Sequence, residues 1–268
     1  MTARQQLEWL RYRAAAPGFD WAEAALVDLQ FSPHRHDTYA VGVTTHGVQA
    51  FTYRGAARAS CPGDVFVLHP DELHDGRPGR EGGFGYRIVY VAPELIGEAL
   101  GGAALPFVPD PLARDRALRA VVPALFPHPD DPREALAEND RVTLLAGALA
   151  RASGAPLRPA VRHPRMARVK DHLAATCAEG ISLAVLEREH GLDRFTLARQ
   201  FRKAYGVSPS RFVTLRRLDL AKGAIAEGRS LAAAAASAGF ADQAHMTRQF
   251  RAAFGTTPGK WRALLHAA

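Results

Sequence analysis

The sequence predicts an α+β chain of two domains: a strand-rich first half continued by helices, then an all-helical part built on a repeated motif. Three observations carry this reading. Short β-branched and apolar runs bounded by glycine and proline dominate the first hundred residues. A Pro/Gly-rich stretch, Ser153-Gly154-Ala155-Pro156-Leu157-Arg158-Pro159 with Pro164 after it, marks a linker. Charge divides at the same place. Residues 1–164 carry 17 Lys+Arg against 19 Asp+Glu, a net of −2, whereas residues 165–268 carry 17 against 8, a net of +9. The expected boundaries are 1–110 for the strand-rich domain, 111–152 for a helical bridge, 153–164 for the linker and 165–268 for the helical domain.

In the first region Val41-Gly42-Val43, Asp64-Val65-Phe66-Val67-Leu68 and Tyr86-Arg87-Ile88-Val89-Tyr90-Val91, the last before Pro93, read as strands. Their spacing fits an antiparallel barrel or sandwich. After Pro111, residues 112–125 and 133–151 read as helices, the second with Leu136, Val142, Leu145 and Leu149 at roughly helical spacing. Those leucines suit two arrangements: pairing of subunits, with a two-fold homodimer as the default, or a helical core within one subunit.

The last hundred residues contain an internal repeat. Ser182-Leu183 with Gly191 returns as Ser230-Leu231 with Gly239, a spacing of 48. Phe201-Arg202-Lys203-Ala204-Tyr205-Gly206-Val207-Ser208-Pro209 returns as Phe250-Arg251-Ala252-Ala253-Phe254-Gly255-Thr256-Thr257-Pro258, a spacing of 49. Each copy reads as a short helix, a turn at glycine and a second helix. Ser182 caps a helix running to His190, Gly191 ends it, and Asp193 caps the next, which buries Leu197 and Phe201. In the second copy Ser230 caps, Gly239 turns, and Asp242 caps a helix that buries Met246 and Phe250. A short helix ended by glycine and followed by a polar, arginine-bearing helix is the helix-turn-helix pattern. Between the copies, residues 210–227 read as one helix with Phe212, Leu215, Leu218 and Ile225 inward. It would be about 26 Å long, against roughly 34 Å between successive major-groove faces on one side of a duplex. That shortfall suggests some bending of the DNA.

Bulk properties agree with a soluble protein that meets a polyanion. Apolar residues make up 47% and charged residues 23%. No apolar run approaches the roughly 20 residues of a membrane helix, and MTARQQLEWLRYR has no apolar signal core. Membrane association is therefore not expected, and the cytoplasm is the expected location. The two cysteines, Cys61 and Cys177, lie far apart, which excludes a disulfide framework and a four-cysteine zinc site. All four lysines (Lys170, Lys203, Lys222, Lys260) fall in the basic segment, as suits a partner such as nucleic acid.

The stretches GLDRFTLARQFRKAYGVSPSRFVTLRRLDLAK and AGFADQAHMTRQFRAAFGTTPGKWR resemble the AraC/XylS family of transcription regulators, over about residues 165–265. By that resemblance the first recognition helix meets bases through Phe195, Ala198 and Arg199. The second does so through Gln243, Ala244, His245, Thr247 and Arg248. Arg199 and Arg248 are chemically suited to a guanine edge and Gln243 to adenine. Arg202, Lys203, Arg217 and Arg251 are expected on phosphates. Phe195 is open to a second reading as a core residue, and His245 to one as a surface bystander. The sequence departs from the family pattern at Glu187, where alanine is common, and Ala198 offers no hydrogen bond to a base.

The first domain resembles the cupin-like sensor that accompanies many such regulators. The residues concerned are Pro33-His34-Arg35-His36, Gly47, Pro62-Gly63-Asp64-Val65-Phe66-Val67-Leu68-His69-Pro70 and His74. His34 and His36, two apart, face the same way on a strand. With His74 they form a candidate site for zinc or another imidazole-binding ion. The glutamate that completes the metal set of enzymatic cupins would fall at Ala40 or Val41, and neither can ligate. Alternatively His34, His36, Tyr39, His46, Phe66, His74, Tyr86 and Tyr90 line a pocket for an organic effector, or the histidines merely close the barrel. The function expected is a sequence-specific DNA-binding transcription regulator under effector control, and not an enzyme. Its expected partners are double-stranded DNA, a small-molecule effector, a second copy of the chain and RNA polymerase. The alternatives are a metal-binding cupin enzyme or metal sensor attached to a DNA-binding domain, and an architectural DNA binder. A DNA-repair alkyl acceptor would need zinc-binding cysteines that the chain lacks.

Overall fold

In the computed structural model, residues 8–16, 18–126, 135–154, 164–205 and 207–266 are described. Most of the linker at 153–164, the start of the helix read at 133–151, and Gly206 lie outside them. The chain divides into two compact units, residues 1–160 with 260–268, and residues 161–259.

The first unit is built on two antiparallel sheets. The six-stranded sheet runs in the order β1 (Trp9–Ala16), β2 (Phe19–Leu26), β9 (Phe84–Val91), β4 (Tyr39–Gly47), β7 (Val65–Leu68), β10 (Leu112–Ala113). The four-stranded sheet runs β3 (Phe31–His34), β8 (His74–Pro78), β5 (Gln49–Tyr53), β6 (Ala56–Ser60). This is the antiparallel, cupin-like double sheet that was expected, and β4, β7 and β9 are the three strands read from the sequence.

Alternation along the large sheet separates two cores. Tyr39 and Val41 of β4, Val65 and Val67 of β7, Val89 and Val91 of β9, and Phe19 of β2 form one cluster with helices α1 (Pro93–Ala99), α2 (Arg116–Ala124) and α3 (Ala135–Ala152). The helices contribute Ile96, Leu118, Val122, Val142, Leu145 and Leu149, all buried. Val142, Leu145 and Leu149 of the expected bridge thus pack inside one subunit, against the sheet. The opposite parity, Ala40, Gly42, Phe66, Tyr86 and Ile88, is buried away from the helices. Phe66 meets Phe51 of the small sheet at 6.5 Å between ring centroids, and its ring lies over Gly42, where a Cβ would strike it.

One expected helix starts late. Residues 112–125 do not form a single helix: Leu112 and Ala113 pair with Phe66 and Val65 as an edge strand. The helix begins after Asp115, whose carboxylate accepts the Ala117 and Leu118 amides. A good N-cap four residues beyond Pro111 overrides the apolar pattern.

The second unit holds α4 (Pro164–Thr176), α5 (Leu183–His190), α6 (Arg194–Tyr205), α7 (Pro209–Ala226), α8 (Leu231–Ser237) and α9 (Gln243–Phe254); α10 (Pro258–His266) begins at its end. Met166, Val169 and Leu173 of α4, Leu186 of α5, Leu197 and Phe201 of α6, and Phe212 and Val213 of α7 share one core. Helix α7 also packs on α8 and α9. Lys222 of α7 is buried there, 3.3 Å from the Asp219 carboxylate and 4.9 Å from the centre of the Phe254 ring.

Candidate nucleic-acid interface and histidine cluster

Each helix-turn-helix is set by the caps that the sequence supplies. Asp193 Oδ1 accepts the Phe195 and Thr196 amides at 3.0 Å, and Asp242 Oδ1 accepts the His245 amide at 2.6 Å. Ser182 and Ser230 accept from Val185 and Ala233 at the starts of α5 and α8. Gly191 closes α5 in the left-handed region at φ 58°, which glycine occupies without steric cost. Glu187, the departure from the family pattern, has a definite job. Its Oε1 accepts both the Arg194 amide at 2.8 Å and Arg194 Nε at 3.1 Å, joining α5 to the start of α6. These bonds hold its carboxyl below the usual range.

With Leu197 and Phe201 buried, the far side of α6 presents Phe195, Ala198, Arg199, Arg202 and Lys203 to solvent. Phe195 is 75% exposed, which removes the core reading of this residue. Arg199 donates to Thr196 Oγ1 at 3.2 Å, so its guanidinium lies along the helix surface. In α9, Met246, Phe250 and Ala253 are buried and Gln243, Ala244, Arg248 and Arg251 are exposed. Thr247 is half-buried, and so is His245, whose ring stands edge-on to Phe240 at 5.4 Å. The repeat offset of 49 superposes the two faces in sequence: Phe195 on Ala244, Ala198 on Thr247, Arg199 on Arg248, Arg202 on Arg251. Both copies therefore carry the same arginine pair, four and seven residues after an exposed position. Arg217 does not join them. It is half-buried, and its Nε donates to the Cys177 carbonyl at 2.6 Å, tying α7 to the end of α4. A phosphate contact is not what this placement favours.

In the first unit His34, His36 and His74 converge. His34 ends β3 and pairs with His74 of β8 across the ladder. His36 follows two residues on, with ring centroids 6.1 Å from His34 and 4.7 Å from His74. His34 and His74 are 4.2 Å apart. One ring nitrogen from each lies within 4.8 Å of the others. The Nδ1 atoms of His34, His36 and His74 meet the carbonyls of Ser32, Thr38 and Glu72 at 2.8, 2.9 and 2.9 Å. A carbonyl only accepts, so each Nδ1 carries the proton and Nε2 keeps the lone pair in the neutral ring. Burial, together with the neighbouring imidazole, pushes His34 and His74 down to about 3, so both are neutral near pH 7. Tyr90 faces His36 edge-on at 5.7 Å.

The other expected pocket residues disperse. Tyr39 is on the helix-facing side of the large sheet, its hydroxyl donating to the Pro106 carbonyl at 2.7 Å. Tyr39 lies three residues after His36, and alternation along an extended chain sends residues three apart to opposite faces. His46 is exposed at the end of β4, its ring over Gly85. Phe66 and Tyr86 are packed inside, Tyr86 against Phe84 with centroids 5.9 Å apart. Sequence reasoning missed His69. It is buried, its Nε2 accepts the Val108 amide at 3.0 Å, and its Nδ1–H is left to donate to Tyr53 at 2.9 Å. The only available hint was its place after a β-branched run, which does not specify partners so distant in sequence.

Residues 16–168 match the profile of the AraC-like ligand binding domain, and residues 186–264 that of a helix-turn-helix domain. The chain belongs to the AraC family. Among relatives, this AraC-family regulator is 26% identical over 229 residues to YbfI of Bacillus subtilis (strain 168), described as an uncharacterized HTH-type transcriptional regulator, covering 81% of this chain and 82% of YbfI. Among solved structures it shares the fold of ToxT from Vibrio cholerae. One ToxT structure matches with a TM-score of 0.65 at 10% identity, covering 92% of this chain and 99% of ToxT. A second, ToxT with unsaturated fatty acid bound, matches with a TM-score of 0.64 at 11% identity, covering 96% and 99%. This AraC-family protein is accordingly a DNA-binding transcription regulator whose first unit is the ligand-binding half. Among the described residues, no helix is long and apolar enough to cross a membrane.

Proposed function

We propose that the regulator reads two successive stretches of one duplex with α6 and α9. Phe195, Ala198 and Arg199 face bases from the first helix, and Gln243, Ala244, His245, Thr247 and Arg248 from the second. Arg202, Lys203 and Arg251 contact phosphates. The observation that carries this reading is the matched exposed stripe, Arg199 with Arg202 and Arg248 with Arg251, one repeat apart and each opposite a buried core face. Guanidinium at the first position of each pair suits the O6/N7 edge of guanine; at the second it suits backbone oxygens. Ala198 leaves the first reader with fewer hydrogen bonds than the second, so its selectivity rests on Arg199 and on the apolar face of Phe195.

The first unit takes the effector, at the end of the barrel marked by His34, His36, His74 and Tyr90. The match of residues 16–168 to an AraC-like ligand binding domain supports this half as the effector unit, and ToxT, which shares the fold, binds an unsaturated fatty acid. A catalytic barrel is less well supported, because the carboxylate ligand would fall at Ala40 or Val41, and neither can ligate. Homodimerisation, contact with RNA polymerase and a cytoplasmic location accompany the regulator reading.

The test is binding of the full chain to its cognate duplex and to random duplex across a salt series. Affinity should fall roughly tenfold or more per few-fold rise in salt. Arg248→Ala should lose about 1–3 kcal/mol on the cognate site and far less on random DNA. An equal loss on both would reassign Arg248 to the phosphates.

A further inference from the structure

We propose that His172, Glu189 and His190 of the second unit bind a divalent ion of the zinc class, which fastens α4 to the end of α5. His172 lies in the later part of α4, and Glu189 and His190 are the last two residues of α5. One ligand atom of each lies within 4.8 Å of the other two. His172 Nδ1 and Glu189 Oε2 are 3.0 Å apart, and the His172 and His190 rings stand edge-on with centroids 5.6 Å apart. Four-coordinate zinc with bonds of about 2.0–2.2 Å holds its donors roughly 3.4 Å from one another, so small side-chain rotations close the site. A hydrogen bond from His172 to Glu189 accounts for two of these groups without an ion. His190 is what it leaves over. Its Nε2 is buried and meets no hydrogen-bond partner among the described residues, a state that costs free energy until something takes up the nitrogen.

Charge and donor type agree with such an ion. Burial lowers the His190 pKa, with His172 and Arg168 adding to the effect and Glu189 opposing it, so the ring is neutral near pH 7 and keeps a lone pair. Glu189 brings a negative charge to set against Arg168, one turn before His172 on α4. The carbonyls at the end of α5 add to it, because a helix C-terminus favours a cation. Two imidazoles and a carboxylate suit zinc, or cobalt and nickel in its place, whereas magnesium and calcium take oxygen ligands. Glu189 is half-exposed, which leaves a fourth position open to water. The location gives the site its consequence. Gly191 follows at once and Asp193 caps α6, so an ion here stiffens the turn from which the first reading helix starts. This inference goes beyond the DNA reading and stands apart from it.

The experiment is residue-resolved amide hydrogen exchange on the chelator-treated full chain without DNA, after addition of Zn2+ or of Mg2+. Zn2+ should slow exchange across residues 172–192, and Mg2+ should not. With Zn2+ at roughly a hundredfold its dissociation constant, openings that release the ion should become about a hundredfold rarer. Glu189→Ala and His190→Ala should each remove the protection. The comparison of the two ions on the wild type needs no variant to fold, and Glu189 is exposed enough to be replaced with the fold kept. Zinc held by His34, His36 and His74 would protect β3 and β8 instead, so the region that responds tells the two clusters apart. Protection that is absent from residues 172–192, equal with Mg2+, or retained in either variant would overturn the assignment. Because no DNA is present, failure here leaves the reading of α6 and α9 untouched.

Discussion

At the scale of residues, single side chains decide matters that the pattern leaves open. Phe195 could be core or contact on its spacing alone, because an aromatic at a helix start serves either; its exposure resolves that. Glu187 looked like a loss of the usual alanine, yet it caps α6 through Arg194. His69 was illegible because both of its partners are distant in sequence, Tyr53 in β5 and Val108 beyond α1. Burial pushes its pKa down to about 4, with Arg54 adding to the effect. In the unfolded chain the ordinary value is about 6.5. Between those values the unfolded chain takes up a proton that the fold refuses, so stability is full above about pH 6.5 and falls as pH drops toward 4. His69 should account for about 3 kcal/mol of that loss. Denaturant midpoints measured from pH 7 to pH 4 should therefore fall less steeply in His69→Gln than in the wild type; identical slopes would mean that His69 is solvated.

At the scale of elements, legibility follows how local the determinants are. The helix-turn-helix copies were readable because caps and glycines act within three or four residues and recur at offsets of 48 and 49. Strands β1 and β2 were not, because WLRYRAAA and FDWAEAAL carry arginine and alanine in place of β-branched runs; pairing of β2 with β9, and of β1 with β2, makes them strands. The edge strand β10 was hidden for the same reason. The three histidines were legible as a spacing, but the carbonyls that set their tautomers were not. Gly239 is the element-scale residue with the sharpest consequence. It holds φ +80°, and a Cβ there would run into the Ala178 backbone at the end of α4. Gly239→Ala should destabilise the second unit by more than about 1 kcal/mol, the conformational cost alone, with the clash added. Gly228→Ala also meets a positive φ, at +86°, but has open space around the Cβ position. It should cost less, and thermal melting of the two variants compares them directly.

At the scale of the whole chain, the charge division now has a structural basis. The near-neutral unit spends its apolar residues on a sheet–helix core and a double-sheet interior, while the basic segment presents arginines on two repeated helices. Not every basic residue contributes: Lys222 is buried against Asp219 and Phe254, and Arg217 is bound to Cys177. The net of +9 thus overstates the charge available to DNA, and the matched pairs on α6 and α9 matter more than the total. The most direct test is selection of bound sequences from a random duplex library by the wild-type full chain, Arg199→Ala and Arg248→Ala. The wild type should select two guanine-containing elements about one helical turn, roughly 10 base pairs, apart. Each variant should lose the preference at one element and keep it at the other. Loss at both elements from either single change, or no loss from either, would contradict a pair of equivalent reading helices.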